Sequence, residues 1–317
     1  MKIVMVNDCA HVGETLIKYL PEEFNVLHLK RSRSFFDKTF RIAWKILRSK
    51  GDVYHVHYLL QDCYLALKFG KHPVIGHAHG TDLRSSLKHK IWGRIVRYNL
   101  ESCEKILVST PDLLSVAREY REGAEYIPNP VDIHIFYPKP FASYKEKMKV
   151  LIAARCDWKA KGTDKVIRAL SKIKNEFEVY IIQYGKDFNK TLKLASSLGL
   201  RLNVLPKVPH NRINEYYWNA DIVIGSIGAG VLGMVALEAI ACGRPVITYI
   251  SSKYPEYKDF PLKDINSIEK IVKAIKDVDV KLWRKQYAYL EKNHKPDAII
   301  NKLLQIYTEI NKNEIIP

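Results

Sequence analysis

Short apolar runs alternate with helical periodicity along nearly the whole chain, and this rhythm restricts it to parallel sheets covered by helices on both faces. In the first half the runs fall at 3–6, 26–29, 53–57, 74–77 and 106–108, with helical patterns at 14–19, 35–47, 64–69, 91–100 and 113–120 between them. The rhythm resumes with runs at 150–153, 179–182, 202–205, 222–224 and 246–250. Ten strands in two groups exceed one comfortable open sheet. The interruption at 127–142, IPNPVDIHIFYPKPFA, carries Pro128, Pro130, Pro138 and Pro140, and reads as a semi-rigid connector between two doubly wound, Rossmann-like α/β domains. The expected division is 1–142 and 143–295. After Pro261 only helices are expected, including 281–290 and 298–310.

The chain has 317 residues, 47% of them hydrophobic, enough for two ordinary cores. It holds no apolar run long enough to span a bilayer, and its N-terminus, MKIVMVNDCAHVGE, enters a strand at once instead of reading as a signal peptide. The five cysteines are scattered without a CxxC pair, so neither a disulfide framework nor a cysteine zinc site is expected, and a reducing cytoplasm fits. A formal net charge of +17 calls for a negative partner: phosphate, nucleic acid or an anionic membrane face. A lysine-rich surface suited to high temperature gives the same number.

The stretch ADIVIGSIGAGVLGMVALEAIACGRPVITYI, 220–250, carries the most chemistry. It reads as a strand, a loop broken by Gly228, Gly230 and Gly233, a helix from about Met234 to Ala241, a stop at Gly243 and another strand. Loop glycines let backbone N–H groups approach a ligand, and the helix N-terminus behind them favours an anion. Glu238 lies a little over one turn into that helix, within reach of a sugar hydroxyl. The amides around Gly230, Leu232, Gly233 and Met234 suit a nucleotide diphosphate with its ribose beside Glu238. Ordinary strand–turn–helix packing explains the same glycines without a ligand.

Earlier, AARCDWKAKGTDKVIRAL puts Arg155 and Lys161 in the loop after a strand, at the end where ligands of such sheets bind. There they would neutralise charge developing on a leaving phosphate. As solvated loop cations they would do nothing. In the first half, strands end in YHVHY and GHAHGTD. His79 ends its strand where an imidazole can hydrogen-bond a sugar hydroxyl, and Gly13 marks a turn that admits substrate near the backbone. His55 pairs with His57, and His77 with His79, on one strand face each. Four such histidines also suit a metal such as zinc, although no carboxylate at a telling spacing joins them. Satisfied core imidazoles are the preferred reading for His55 and His77. Two basic segments carry aromatics: 30–50 holds eight lysines or arginines with Phe35, Phe36, Phe40, Trp44 and Leu47 against one acid, Asp37, and 87–98 surrounds Ile91, Trp92 and Ile95 with Lys88, Lys90, Arg94 and Arg97. They fit either an anionic lipid surface or a helix with one solvated face. No motif supports nucleic acid as a partner.

Taken together, AARCDWKAKG, YYWNADIVIGS, LGMVALEAIACGRPVI and the looser DVYHVH, HAHGTD, STPDLL and IPNPVDIHIF resemble the GT-B glycosyltransferases of family 4, retaining enzymes that use nucleotide sugars. The resemblance implies two Rossmann-like domains facing each other across a cleft. The first, 1–142, would take the acceptor, the second, 143–295, the donor, and a C-terminal helix in 296–317 would cross back to the first. It also implies that Arg155 and Lys161 bind the donor diphosphate, Glu238 holds the ribose hydroxyls, His79 contacts the donor sugar, and Lys207 and Val208 in LPKVPH lie against the base. The donor would be UDP- or GDP-linked, with no metal and no cofactor, and the acceptor a glycan or a lipid-linked hydroxyl at the cytosolic membrane face. The family pairs two glutamates eight positions apart, and this chain has Gly230 where the first belongs. That departure keeps a second reading open, a catalytically silent sugar-nucleotide binding protein, beside a third, a metallohydrolase built on the histidines.

Overall fold

The computed structural model describes residues 1–31, 40–140 and 147–313. The chain forms two compact units, Met1–Pro130 with Lys295–Pro317, and Val131–His294. Their divisions fall at 130/131, earlier than the 142/143 edge expected from the prolines, and at 294/295, one residue before the 295/296 edge expected from the C-terminal helix. Val131 and Phe136, beyond Pro130, are already buried in the second core. Pro138 and Pro140 stay with that unit because the buried Arg244 guanidinium donates to the carbonyls of Lys139 and Pro140.

In the first unit six parallel strands run in the order β2-β1-β3-β4-β5-β6. They are β1 (Lys2–Val6), β2 (Asn25–Leu29), β3 (Val53–His57), β4 (Val74–Ala78), β5 (Lys105–Val108) and β6 (Glu125–Tyr126). Alternation assigns their side chains to two faces. Val4, Val6, Tyr54, Val56, Val74, Ala78, Ile106 and Val108 pack with helices Ile42–Arg48, Gln61–Lys68 and Trp92–Ser102. The opposite face carries the fully buried Ile3, Met5, His55, His57, Ile75 and Leu107, with His77 nearly so. Helix Pro296–Asn313 serves this face: Tyr307 is fully buried and its hydroxyl lies 2.6 Å from His55 Nδ1.

The second unit holds five parallel strands in the order β11-β10-β7-β8-β9. They are β7 (Met148–Ile152), β8 (Phe177–Ile182), β9 (Asn203–Leu205), β10 (Ile222–Ile224) and β11 (Val246–Ile247). Both faces are apolar. Leu151, Ala153, Val223 and Val246 join one core with helix Met234–Ala241, while Val150, Ile152, Ile222 and Ile224 join another with helix Thr163–Ser171. The edge of β11 is closed by the buried Gln286, whose side-chain amide accepts from Val246 N at 2.9 Å and donates to Val246 O at 2.7 Å. Helix Val280–Asn293, which carries Gln286, starts at Asp279, whose carboxylate accepts from Leu282 N at 2.8 Å. Among the described residues no helix is long and apolar enough to cross a membrane.

Candidate functional site

In the second sheet β8 and β9 extend one side of β7, while β10 and β11 extend the other. Helices after β7 and β10 therefore leave the sheet in opposite directions, and a ligand site is favoured outside the carboxyl ends of these two strands. Arg155 and Lys161 follow β7. Gly230, Leu232, Gly233, Met234 and Glu238 follow β10, and Lys207 and Val208 follow β9. The fold thus brings the whole donor set expected in this half to one end of one sheet.

Close glycine contacts fix these loops against one another. A Cβ on Gly228 would lie 2.0 Å from Ala160 O, and one on Gly162 3.0 Å from Ile227 O. Ile227 N donates to Lys161 O at 2.9 Å, so the lysine loop and the glycine loop are held side by side. Gly185, after β8, has φ +118 and presses on Cys156, where a Cβ would meet the carbonyl at 2.3 Å. The short helix Trp158–Lys161 is capped by Asp157, which accepts from Ala160 N at 3.0 Å. Burial works to raise the pKa of Asp157, but the Ala160 amide, Lys186 and Arg155 outweigh it and hold the carboxyl below its ordinary value. Arg155 Nη2 reaches that carboxylate at 3.3 Å, while its side chain stays 46% exposed and available to an incoming anion.

Helix Met234–Ala241 is buried along most of its length because it lies between a sheet face and other helices, which is why its residues are apolar except Glu238. Glu238 is itself buried, and both its oxygens are engaged: Oε1 lies 2.8 Å from His210 Nε2, and Oε2 accepts from Tyr217 OH at 2.9 Å. Burial, together with the neighbouring Glu238, keeps the Tyr217 phenol far above its ordinary pKa and hence a donor. Neither His210 nor Tyr217 carries a sequence signal that separates it from an ordinary loop and an ordinary amphipathic helix. The loop after β9 is tied in further by Lys207, whose ammonium sits 4.5 Å from the centre of the Tyr184 ring. Leu232 N is already taken by Tyr257 OH at 3.1 Å, so this amide belongs to the wall of the loop and not to its ligand face. Gly230 has φ +71, and a Cβ there would meet Ser251 Cβ and Tyr249 Cε1 at 3.0 Å. A glutamate here would meet a left-handed backbone and two close side chains.

Gly13 and His79 lie in the first unit. Gly13 opens helix Val12–Tyr19, its amide bound to Asp8 Oδ1 at 2.9 Å, and its Cβ would approach His57 Nε2 to 3.0 Å. Asn7, Ala10, His11 and Tyr58 all have positive φ at the carboxyl ends of β1 and β3, the reversal point of this sheet. Such backbone costs about 1–2 kcal/mol per residue and collects at functional sites. His79 is set by Asp82, a fully buried carboxylate that accepts from the amides of Leu59, His79, Gly80 and Leu83. Burial raises the pKa of Asp82 even though those four donors favour its ionised form.

The four histidines form a stack. His57 Nδ1 lies 2.8 Å from His79 Nε2, and His55 Nε2 lies 3.1 Å from His77 Nδ1. Burial first, and repulsion between the rings second, keeps His57, His77 and His79 neutral well below their ordinary pKa, and burial takes His55 down to about 3. Nitrogens of His55, His57 and His77 fall within 4.8 Å of one another, a cluster that a metal needs. Ring nitrogens of the cluster already face one another, His57 Nδ1 with His79 Nε2 and His55 Nε2 with His77 Nδ1, so a metal would have to displace these contacts. His55 is a satisfied core imidazole as expected, whereas His77 keeps Nε2 without a partner.

Two family models match side by side: Glycosyltransferase Family 4 over residues 9–135 and Glycosyl transferases group 1 over residues 135–279. The chain belongs to the group 1 glycosyltransferases. Among solved structures, this group 1 chain is similar to Anabaena HepE, crystallised with UDP and glucose, with a TM-score of 0.77 and 13% identity over 98% of this chain and 100% of that one. It is also similar to a sucrose-phosphate synthase from Thermosynechococcus elongatus, with a TM-score of 0.75 and 15% identity over 98% and 99% of the two chains. At such identities the likeness is one of fold, and the fold is GT-B. A curated relative, N-acetyl-alpha-D-glucosaminyl L-malate synthase of Bacillus anthracis, is 23% identical over 216 residues, 63% of this chain and 57% of the relative. The chain spans about half the length of the curated relatives it matches.

Proposed function

We propose that this group 1 chain transfers a sugar from a nucleotide diphosphate to a hydroxyl acceptor, with retention at the anomeric carbon. The observation that carries the reading is the convergence of Arg155, Lys161, the Gly228–Gly233 loop and Glu238 at the carboxyl ends of β7 and β10. In this reading the amides opening helix Met234–Ala241 and the two cations hold the diphosphate, Glu238 takes the ribose, and Lys207 and Val208 flank a uracil or guanine base. The cations stabilise the leaving phosphate, which itself helps to remove the acceptor proton, so the reading needs neither a protein base nor a metal. His79, its backbone amide held by Asp82 and its Nε2 facing His57, would hydrogen-bond the donor sugar through Nδ1. The UDP and glucose bound by the similar HepE support a nucleotide-sugar donor.

The proposed acceptor is a glycan or lipid-linked hydroxyl at the cytosolic face of a membrane. Its support is the exposure of Phe40, Trp44, Leu47, Ile91 and Trp92 within the two basic segments. Phe35, Phe36 and Asp37 of the first segment lie outside the described residues. Flotation with anionic and neutral vesicles at low salt tests this part; equal recovery with both removes it.

The reading as a whole is tested by screening UDP- and GDP-sugars for transfer and hydrolysis. Arg155→Ala and Lys161→Ala are expected to lower turnover about a hundredfold each, the scale of losing one charge-stabilising group. Unchanged rates in both would remove them from the reaction. One observation favours a silent binding protein instead: Gly230 has φ +71 and a Cβ there would press on Tyr249 and Ser251 at 3.0 Å, so the position is shaped for glycine and not for a glutamate. Binding of nucleotide sugars without turnover of any would select that reading.

A further inference from the structure

Glu238 is the only acid on a helix that is otherwise apolar, and its carboxylate is held from two directions. Tyr217, fully buried on helix Asn214–Asn219, fixes Oε2 from within the core. His210 comes from a different place, the turn His210–Arg212 that ends the loop after β9, and its side chain is 22% exposed. Because a carboxylate only accepts, the His210 nitrogen facing it, Nε2, must carry the proton. The Phe136 ring packs against His210 with centroids 5.2 Å apart, which limits the directions the imidazole can take.

The end torsion of a glutamate is broad, so one hydrogen bond leaves the carboxylate free to rock about the bonded oxygen. A second bond, to the other oxygen, fixes the plane. Each oxygen then keeps one further lone-pair direction, and two parallel acceptors on one fixed plane match the two neighbouring hydroxyls of a ribose. We propose that His210 is a positioning residue that sets the plane of Glu238 for a ribose diol, and so ties ribose recognition to the loop carrying Lys207 and Val208. This rests on the donor reading above. A base held by that loop would steady His210, and through it the carboxylate, so base and ribose are recognised together. A clamp serving only to satisfy a buried acid would hold Glu238 equally well for any ligand or for none.

The test is calorimetry with UDP, GDP and their 2′-deoxy counterparts on the full chain, as wild type, His210→Gln, His210→Leu and His210→Asn. Wild type is expected to prefer the ribonucleotide by about tenfold or more, the scale of a hydrogen bond to a charged group. Glutamine places an N–H close to that of Nε2 and is expected to keep the preference. Leucine, and asparagine by its shorter reach, are expected to bring it within about threefold of unity. Thermal melting reports whether each variant folds, and asparagine stands in if leucine does not. A full preference retained in a folded leucine or asparagine variant overturns the role of His210. No binding of either diphosphate to wild type overturns the donor reading and this inference with it. Equal wild-type binding of ribo and deoxy forms leaves the donor reading standing and overturns only the inference.

Discussion

Replacing Gly228 by alanine tests whether the two loops form one site. The added Cβ would stand 2.0 Å from Ala160 O, 2.6 Å from Ala160 C and 3.1 Å from Lys161 N, all of them main-chain atoms that cannot rotate away. The φ of Gly228 is outside the left-handed region, so the effect is steric and not a matter of backbone strain. Ordinary contact begins at about 3.4 Å, so the loops must separate by about 1.4 Å, and displacement on that scale costs about a hundredfold in a positioned reaction. The bond from Ile227 N to Lys161 O would break, and Lys161 would move away from the glycine loop. Initial rates with the active nucleotide sugar should show kcat/KM about a hundredfold down, with UDP or GDP affinity reduced alongside. Gly233→Ala is the folding control: no atom lies within 4 Å of its Cβ, so it should melt as wild type does. A Gly228→Ala protein with wild-type affinity and rate would refute the idea that this contact sets the site.

Gly230→Glu, which restores the family's first glutamate, is expected to destabilise without raising turnover, because φ +71 costs about 1–2 kcal/mol for a residue with a Cβ; a higher kcat at unchanged Tm would contradict this. Acid should unfold the first unit early. His55 has a folded pKa of about 3 against an ordinary 6.5, so its stabilising neutrality is intact above pH 6.5 and is lost as the pH falls towards 3. At pH 5 it alone removes about 2 kcal/mol, with His57, His77 and His79 acting in the same direction. Urea unfolding at pH 7 and pH 5 measures it, and equal stability at both would show that the stack is not buried and neutral.

Strands β1 to β5 and β7 to β11 are legible in the sequence because each is a short apolar run, most of them buried on both faces, although the edge strands β2 and β9 stay partly exposed. Strand β6 is not, since Glu125 and Tyr126 form a two-residue edge that is only half-buried. The connector misled for a similar reason: prolines mark stiffness, but Val131 and Phe136 decide which core the chain has entered. The glycine loop and its helix were readable from spacing, and Arg155 and Lys161 from their place after a strand. His210 and Tyr217 were not, since their role exists only through a partner 28 and 21 residues away. The histidine pairs showed a shared face but not a stack, because the tilt between rings depends on packing against Tyr307 and the neighbouring strand.

The most direct test of the donor site is a crystal structure of the chain with UDP or GDP. The diphosphate is expected against the main-chain amides between Gly228 and Met234, within reach of Arg155 and Lys161, with the ribose hydroxyls on Glu238. Nucleotide bound elsewhere, or bound here with Arg155, Lys161 and Glu238 all out of contact, would contradict it.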